Sequence, residues 1–407
     1  MTFVRRAALS VAIFAAVLEL GCGDTFRPVA QPISQSGGDP QIQKFAFVVM
    51  PEKTGAPGNF TEVDTTGDTA VGQAVLGRGP VHAAFAGNTG RIIVANQTDD
   101  NLSVYPTFSP QSFIGATISL PAGSQPVFTF STSTSRGYVA LSALNELGVL
   151  DTGTNVMTNT ITVGTDPVAI ASNGDGSRIF VVNKGDGTVS IVDPVAMSVL
   201  QTLTVGSSPS WVQTNADSSL AYVLNTGSNT VSVIDTKTLT VTATIPVGTG
   251  PNFASYNVKQ MRVWVTNPGS NSVSWIDADP SSSTFNTATT ITVGTTPVSI
   301  APLADGSRVY IANLGSDDIW VIDTLNGSIE RKIALTAGAG PMSLAASGDS
   351  TKVVVAEHNA ADIVVIRTSD DTISTRIQPV AIVNGSPVAN CSAGAPCYQP
   401  SFVIATP

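Results

Sequence analysis

A repeat of about 42 residues constrains this chain more than any other feature. Prolines 80, 126, 167, 209, 251, 297 and 341 mark the same point in seven successive units, 41 to 46 residues apart. The cleanest unit opens at Val205-Gly206-Ser207-Ser208-Pro209. It runs through Tyr222-Val223-Leu224-Asn225 to Val233-Ile234-Asp235, and the next opens at Val247-Gly248. A period of this size means one supersecondary unit per repeat.

Each unit divides into four short runs rich in Val, Ile and Thr, separated by turn residues. In one copy they are Pro167 to Ala171, Arg178 to Asn183, Thr188 to Asp193 and Val199 to Val205. Runs of this length and composition read as strands. Four antiparallel strands per repeat, arrayed about an axis, make a β-propeller blade. Near the start, Phe45 to Met50, Phe60 to Asp64 and Thr69 to Leu76 read as a second, third and fourth strand with no first. Near the end, Pro400-Ser401-Phe402-Val403-Ile404 repeats the pattern of Pro209-Ser210-Trp211-Val212. The expectation is an all-β propeller of eight four-stranded antiparallel blades, closed by N- and C-terminal strands in one blade. Seven blades follow instead if 126–163 or 341–383 is not a separate unit. Closure leaves no open ring for further strands to extend.

The first residues differ. Arg5 and Arg6 precede an apolar run from Ala7 to Leu18, ending at Leu20-Gly21-Cys22. That is the pattern of a secretory signal. It resembles a bacterial lipoprotein leader, in which the Cys carries lipid; Glu19 departs from that pattern. The expected organisation is a lipoprotein-type signal over 1–21, a flexible tether over 22–43 and a propeller over 44–407. A Cys-containing loop insertion spans 384–399. The chain is expected to be exported and held by lipid on Cys22 at the periplasmic face or the cell surface. Cys391 and Cys397 then remain as a pair suited to a disulfide in an oxidising compartment. A metal site there lacks a nearby His or further Cys.

The formal net charge is −10. Without residues 1–21, which hold two Arg and one Glu, it is −11. An acidic domain with no Lys/Arg cluster argues against nucleic acid and anionic lipid surfaces as partners. Membrane contact is expected only through the lipid.

The segment Asn229-Thr-Val-Ser-Val-Ile-Asp235, with Trp264-Val265-Thr266-Asn267 and Tyr310-Ile311-Ala312-Asn313, resembles the YVTN family of β-propeller repeats. The resemblance covers about residues 44–406. It implies a blade fold and a bacterial or archaeal surface protein, and it implies no reaction. More distantly the units are similar to lactonase-like and nitrous-oxide-reductase-like propellers.

Residues that recur in every unit read as structural. Pairing the second and third strands across a four-residue loop sets Arg136 opposite Asp151, Arg178 opposite Asp193, Arg262 opposite Asp277 and Arg308 opposite Asp323. Such cross-strand pairs contribute up to ~1 kcal/mol each. The recurrent Asn96, Asn183, Asn225, Asn267 and Asn313 precede the hairpin loop, where the side chain suits turn backbone. The last unit breaks the pattern: Glu357 replaces the Asn, His358 follows it, and Lys352 faces Arg367. His82 lies just after Pro80, on a strand expected to line the axis. His82, Glu357 and His358 are therefore the ligand-binding candidates, against a plain reading of drift in a terminal repeat.

No nucleophile elbow, zinc-protease motif or haem-attachment motif occurs. Two His are too few for a copper propeller. Asp99, Asp100, Glu146, Asp317 and Asp318 lie in hairpin loops on one face and leave room for a divalent metal. No cofactor is evident. The leading expectation is a non-catalytic, monomeric envelope scaffold that binds a protein, glycan or small ligand. The alternatives are a metal-dependent lactonase-like hydrolase and a surface-layer structural protein.

Overall fold

The computed structural model describes residues 44–86, 90–107, 115–132, 135–383, 386–391 and 397–405. The leader, Cys22 and the tether lie outside the described residues, as do 384–385 and 392–396 of the expected insertion.

Eight four-stranded antiparallel sheets form the ring. Blade 1 is composite: Phe402–Ala405 is its innermost strand, followed outward by Phe45–Met50, Pro57–Asp64 and Thr69–Arg78. The innermost strands of blades 2 to 8 are Pro80–Ala86, Pro126–Ser131, Pro167–Ser172, Pro209–Thr214, Phe253–Asn257, Pro297–Pro302 and Pro341–Ala346. Each contacts the next all the way round, and Phe402–Ala405 lies between those of blades 8 and 2. The chain is thus an eight-bladed β-propeller, and both units in doubt on sequence are full blades.

The core lies between blades. Second strands such as Arg262–Asn267 and Lys352–Glu357 are buried for five of six residues, because both of their faces meet a neighbouring sheet. Apolar clusters run from each sheet into the next. Outermost strands such as Ser198–Thr204 are largely exposed, which matches their Thr-rich composition.

The Gly of the Val-Gly-x-x-Pro connection has a packing cause. A Cβ on Gly164 would fall 2.6 Å from the Asn183 side chain, and one on Gly294 would fall 2.6 Å from Asn313. The repeat therefore couples a glycine to an asparagine about 19 residues later. In blades 3 and 8, where Leu141 and Glu357 replace the Asn, the matching Gly123 and Gly338 have no neighbour within 4 Å and take positive φ.

The insertion differs from the expected loop. A two-stranded hairpin, Val380–Val383 with Ser386–Ala389, opens it, and Cys391 and Cys397 close a disulfide beyond. Pro387 and the short strands gave no alternating pattern to read.

Candidate functional site

Each of blades 2, 3, 4, 5, 7 and 8 has a bulge directly after its proline, at the end of the channel where the innermost strands begin. One residue drops out of the ladder, and the residue two beyond the proline resumes it. A bulge re-aims side chains in this way. The residues at that second position are Phe402, His82, Phe128, Ala169, Trp211, Phe253, Ser299 and Ser343 in blades 1 to 8. Five carry rings, and the rings form an arc. His82 stacks on Phe128 with centroids 3.8 Å apart and meets Phe402 at 4.5 Å. Phe128 meets Trp211 edge-on at 5.6 Å, and Trp211 lies 4.6 Å from Phe253. All but Phe128 and Ala169 line a cavity of about 320 Å³, which no charged residue lines among the described residues.

Hydrogen bonds fix the chemistry of this collar. The backbone N–H of Thr129 donates to His82 Nδ1 at 3.3 Å. Nδ1 also lies 3.3 Å from Thr129 Oγ1, and with Nδ1 accepting the N–H the ring proton is assigned to Nε2. Part of the ring faces the channel, yet protein surrounds it, and this desolvation pushes the His82 pKa down to about 3. His82 is neutral at pH 7. At the same position, Ser299 Oγ accepts the N–H of Leu344 at 3.2 Å, and Ser343 Oγ accepts the N–H of Val403 at 3.1 Å. These three side chains satisfy innermost-strand N–H groups of the next blade.

The other candidates lie elsewhere. His358 contacts the Pro400 carbonyl through Nδ1 at 3.2 Å, near the ring closure. Glu357 is fully buried between strands of blade 8, where Oε2 accepts from Arg376 at 2.7 Å and Oε1 has no partner. Burial raises the Glu357 pKa against the opposing pull of Arg376. His82, Glu357 and His358 therefore do not form one site. Sequence reading picked out His82 for its residue type and missed its aromatic neighbours, although "two residues after each repeat proline" would have found all five.

Four of the five mouth-face carboxylates are occupied. Asp99 accepts from Arg78 Nε and from its backbone N–H at 2.6 and 2.8 Å. Asp100 accepts the N–H groups of Gly123 and Gln125, and Asp317 those of Gly338 and Gly340. Burial would raise the Asp100 carboxyl, but these bonds hold it below the usual range. Asp318 accepts from Asn313, Ser316 and Trp320. Glu146 opens the third strand of blade 3. Among the described residues no three His, Cys, Asp or Glu side chains gather as metal ligands.

The cross-strand charges stand in the expected register, with Arg136 opposite Asp151, Arg262 opposite Asp277 and Arg308 opposite Asp323. Their chemistry is different from a ladder of ion pairs. Arg178 approaches Asp193 only to 3.9 Å. Arg136 and Arg262 donate into the next blade, to the Pro194 and Thr324 carbonyls, and Arg308 donates to Asp371 at 2.8 Å and the Thr368 carbonyl at 2.7 Å. Asp151, Asp193 and Asp323 accept backbone N–H groups of their own turns. The long Arg side chain reaches turn carbonyls that the short Asp cannot, so Arg136, Arg262 and Arg308 tie blade to blade, while Arg178 donates to its own Ser177 carbonyl at 2.6 Å. The asparagines depart from expectation in part. Asn183 donates to Thr188 and Ser190, and Asn225 to Thr230 and Ser232, all hydroxyls of the adjacent strand; Asn225 Oδ1 also accepts the backbone N–H of Gly206 in the connecting turn at 3.0 Å.

Residues 154–279 match the family of YNCE-like β-propellers. That match, with eight blades in place, supports a YVTN-type β-propeller repeat protein. No curated protein matches its sequence. Among solved structures, this propeller is similar to dihydro-heme d1 dehydrogenase NirN, with TM-score 0.68 and 13% identity over 93% of this chain and 78% of that one. Apo AztD from Citrobacter koseri gives 0.63 and 11% over 89% and 99%. Virginiamycin B lyase from Staphylococcus aureus gives 0.55 and 15% over 69% and 92%. Identities this low carry the fold alone.

Proposed function

We propose that this propeller is a non-catalytic binding protein of the cell envelope. In this reading it is exported, held by lipid on Cys22, monomeric, and presents its channel mouth to a ligand. The carrying observation is the state of the mouth-face carboxylates: Asp99, Asp100, Asp317 and Asp318 are each already tied by Arg78, by loop N–H groups or by neighbouring side chains. A metal-dependent hydrolase needs carboxylates free to converge on an ion. What stands at the mouth instead is an uncharged, ring-lined cavity, the usual character of a small-molecule site. The structural neighbours are named for several activities, so the fold does not choose among them.

The test is the melting temperature of the chelator-stripped protein, titrated with Ca²⁺, Mg²⁺, Mn²⁺ and Zn²⁺, alongside a hydrolysis assay on simple lactones. A ligand that binds only the folded state raises the melting temperature by mass action. The expected result is no saturable shift and no hydrolysis. A saturable shift with one metal, abolished by Asp100→Asn or Asp317→Asn and accompanied by turnover, would overturn the reading.

A further inference from the structure

Four of the polar side chains at the channel mouth share one hydrogen-bonding sense, while Ser401 gives its hydroxyl proton to the Val49 carbonyl at 3.2 Å. His82 Nδ1 is taken by the Thr129 N–H, so Nε2 offers a proton. Ser299 and Ser343 accept backbone N–H groups and keep their hydroxyl protons to give. Asn252 Oδ1 accepts from Thr266 at 2.7 Å, which leaves the amide protons of Asn252. These four residues line the same cavity as Trp211, Phe253 and Phe402. The site is thus rich in donors, lined by aromatic faces and without charge.

Resting on the binding reading above, we propose that the mouth binds a flat, uncharged aromatic compound that carries carbonyl acceptors. The rings of Trp211, Phe253 and Phe402 supply stacking and edge contacts for a planar group. The donors of His82, Asn252, Ser299 and Ser343 lack acceptors in this set, and a ligand carbonyl provides one. A cation would meet donors in place of acceptors. An anion would lose its hydration with no counter-charge in the lining, inside a protein of net charge −10.

The experiment is equilibrium dialysis of the chain lacking residues 1–21, whose described propeller, within residues 44–405, holds its own core. Three two-ring probes are compared: coumarin, with a lactone carbonyl; naphthalene, with the same outline and no acceptor; and 2-naphthoate, an anion. Coumarin is expected to bind saturably at one site, naphthalene roughly tenfold more weakly, the worth of one or two hydrogen bonds, and 2-naphthoate not measurably. His82→Phe keeps the ring and deletes the donor. It should weaken coumarin about threefold to tenfold and leave naphthalene unchanged. Trp211→Ala, checked for an intact melting transition, should weaken both. Absence of saturable coumarin binding, equal affinity for coumarin and naphthalene, or indifference to His82→Phe would each overturn the proposal and leave the non-catalytic reading standing. Opening of the bound coumarin lactone by water to the hydroxy acid would instead overturn the non-catalytic reading, whatever the order of affinities.

Discussion

In blade 5 the residue that closes the second strand is Asn225; in blade 8 it is Glu357. Both are fully buried. Asn225 uses neutral partners: it donates to two hydroxyls, Thr230 and Ser232, at 3.1 and 3.0 Å, and accepts the Gly206 N–H at 3.0 Å. Glu357 faces Asp362 across the ladder and brings in Arg376 from the outermost strand, which occupies the place opposite Val364. Blades 4 and 5 thus satisfy this interior position with neutral groups. The closure, made by blades 8 and 1, uses charge. Lys352 meets Asp68 at 2.5 Å and Lys44 meets Asp349 at 2.6 Å, both across the join. Burial alone would raise the Asp349 carboxyl, but Lys44, Ser347 and Thr351 hold it well below its usual range. Lys352 and Arg367, facing each other in register, avoid repulsion because Asp68 and Asp370 take one cation each. A buried carboxylate is tolerated where a counter-charge is supplied, and it makes the closure dependent on pH and salt in a way that blades 4 and 5 are not.

The sharpest break is Arg376→Ala, which strips the counter-charge from Glu357. Loss of one partner of a buried pair costs about 3–5 kcal/mol. Urea unfolding at pH 7 should show it, with a smaller loss at pH 5, where Glu357 takes a proton more readily. Asn225→Ala in blade 5, which removes neutral bonds only, should cost less.

Next comes Glu62 of blade 1, a buried carboxyl with no ion pair among the described residues. Burial, with Asp64 adding, raises its pKa to about 8. A carboxyl raised on folding contributes stability that is complete below about pH 4.5 and is lost as pH rises towards 8, at up to ~1.4 kcal/mol per pH unit. Glu62→Gln should flatten the stability profile between pH 5 and 8 and raise stability at pH 8. An unchanged profile would show that another group sets the slope.

A smaller contrast lies in the connections. Gly206→Ala should cost ~1–3 kcal/mol, because its Cβ would lie 2.6 Å from Asn225. Gly338→Ala meets nothing within 4 Å and bears only the strain of φ +79°, about 1 kcal/mol. The smallest effect is expected for Lys352→Met, under ~1 kcal/mol, with stability then less sensitive to added salt.

Much of this was legible in the chain alone. The proline period predicts the blades, and the match of Pro400-Ser401-Phe402 to Pro209-Ser210-Trp211 predicts the closure, because both are local patterns written several times over. The register of Arg136 with Asp151 also follows from loop length. What the Arg side chains hold does not. Arg308 reaches Asp371, 63 residues away in the next blade, and only the ring brings them together. The candidate site divides in the same way. His82 stood out because histidine is rare here, but Phe128, Trp211, Phe253 and Phe402 looked like ordinary core residues. Phe402 is 320 residues from His82 in sequence and 4.5 Å from it across the ring closure. Periodicity fixes how each unit folds because it acts within about forty residues. The collar, the charge-bound closure and the donor-lined mouth arise from single positions in different units, and only the closed ring sets those positions side by side.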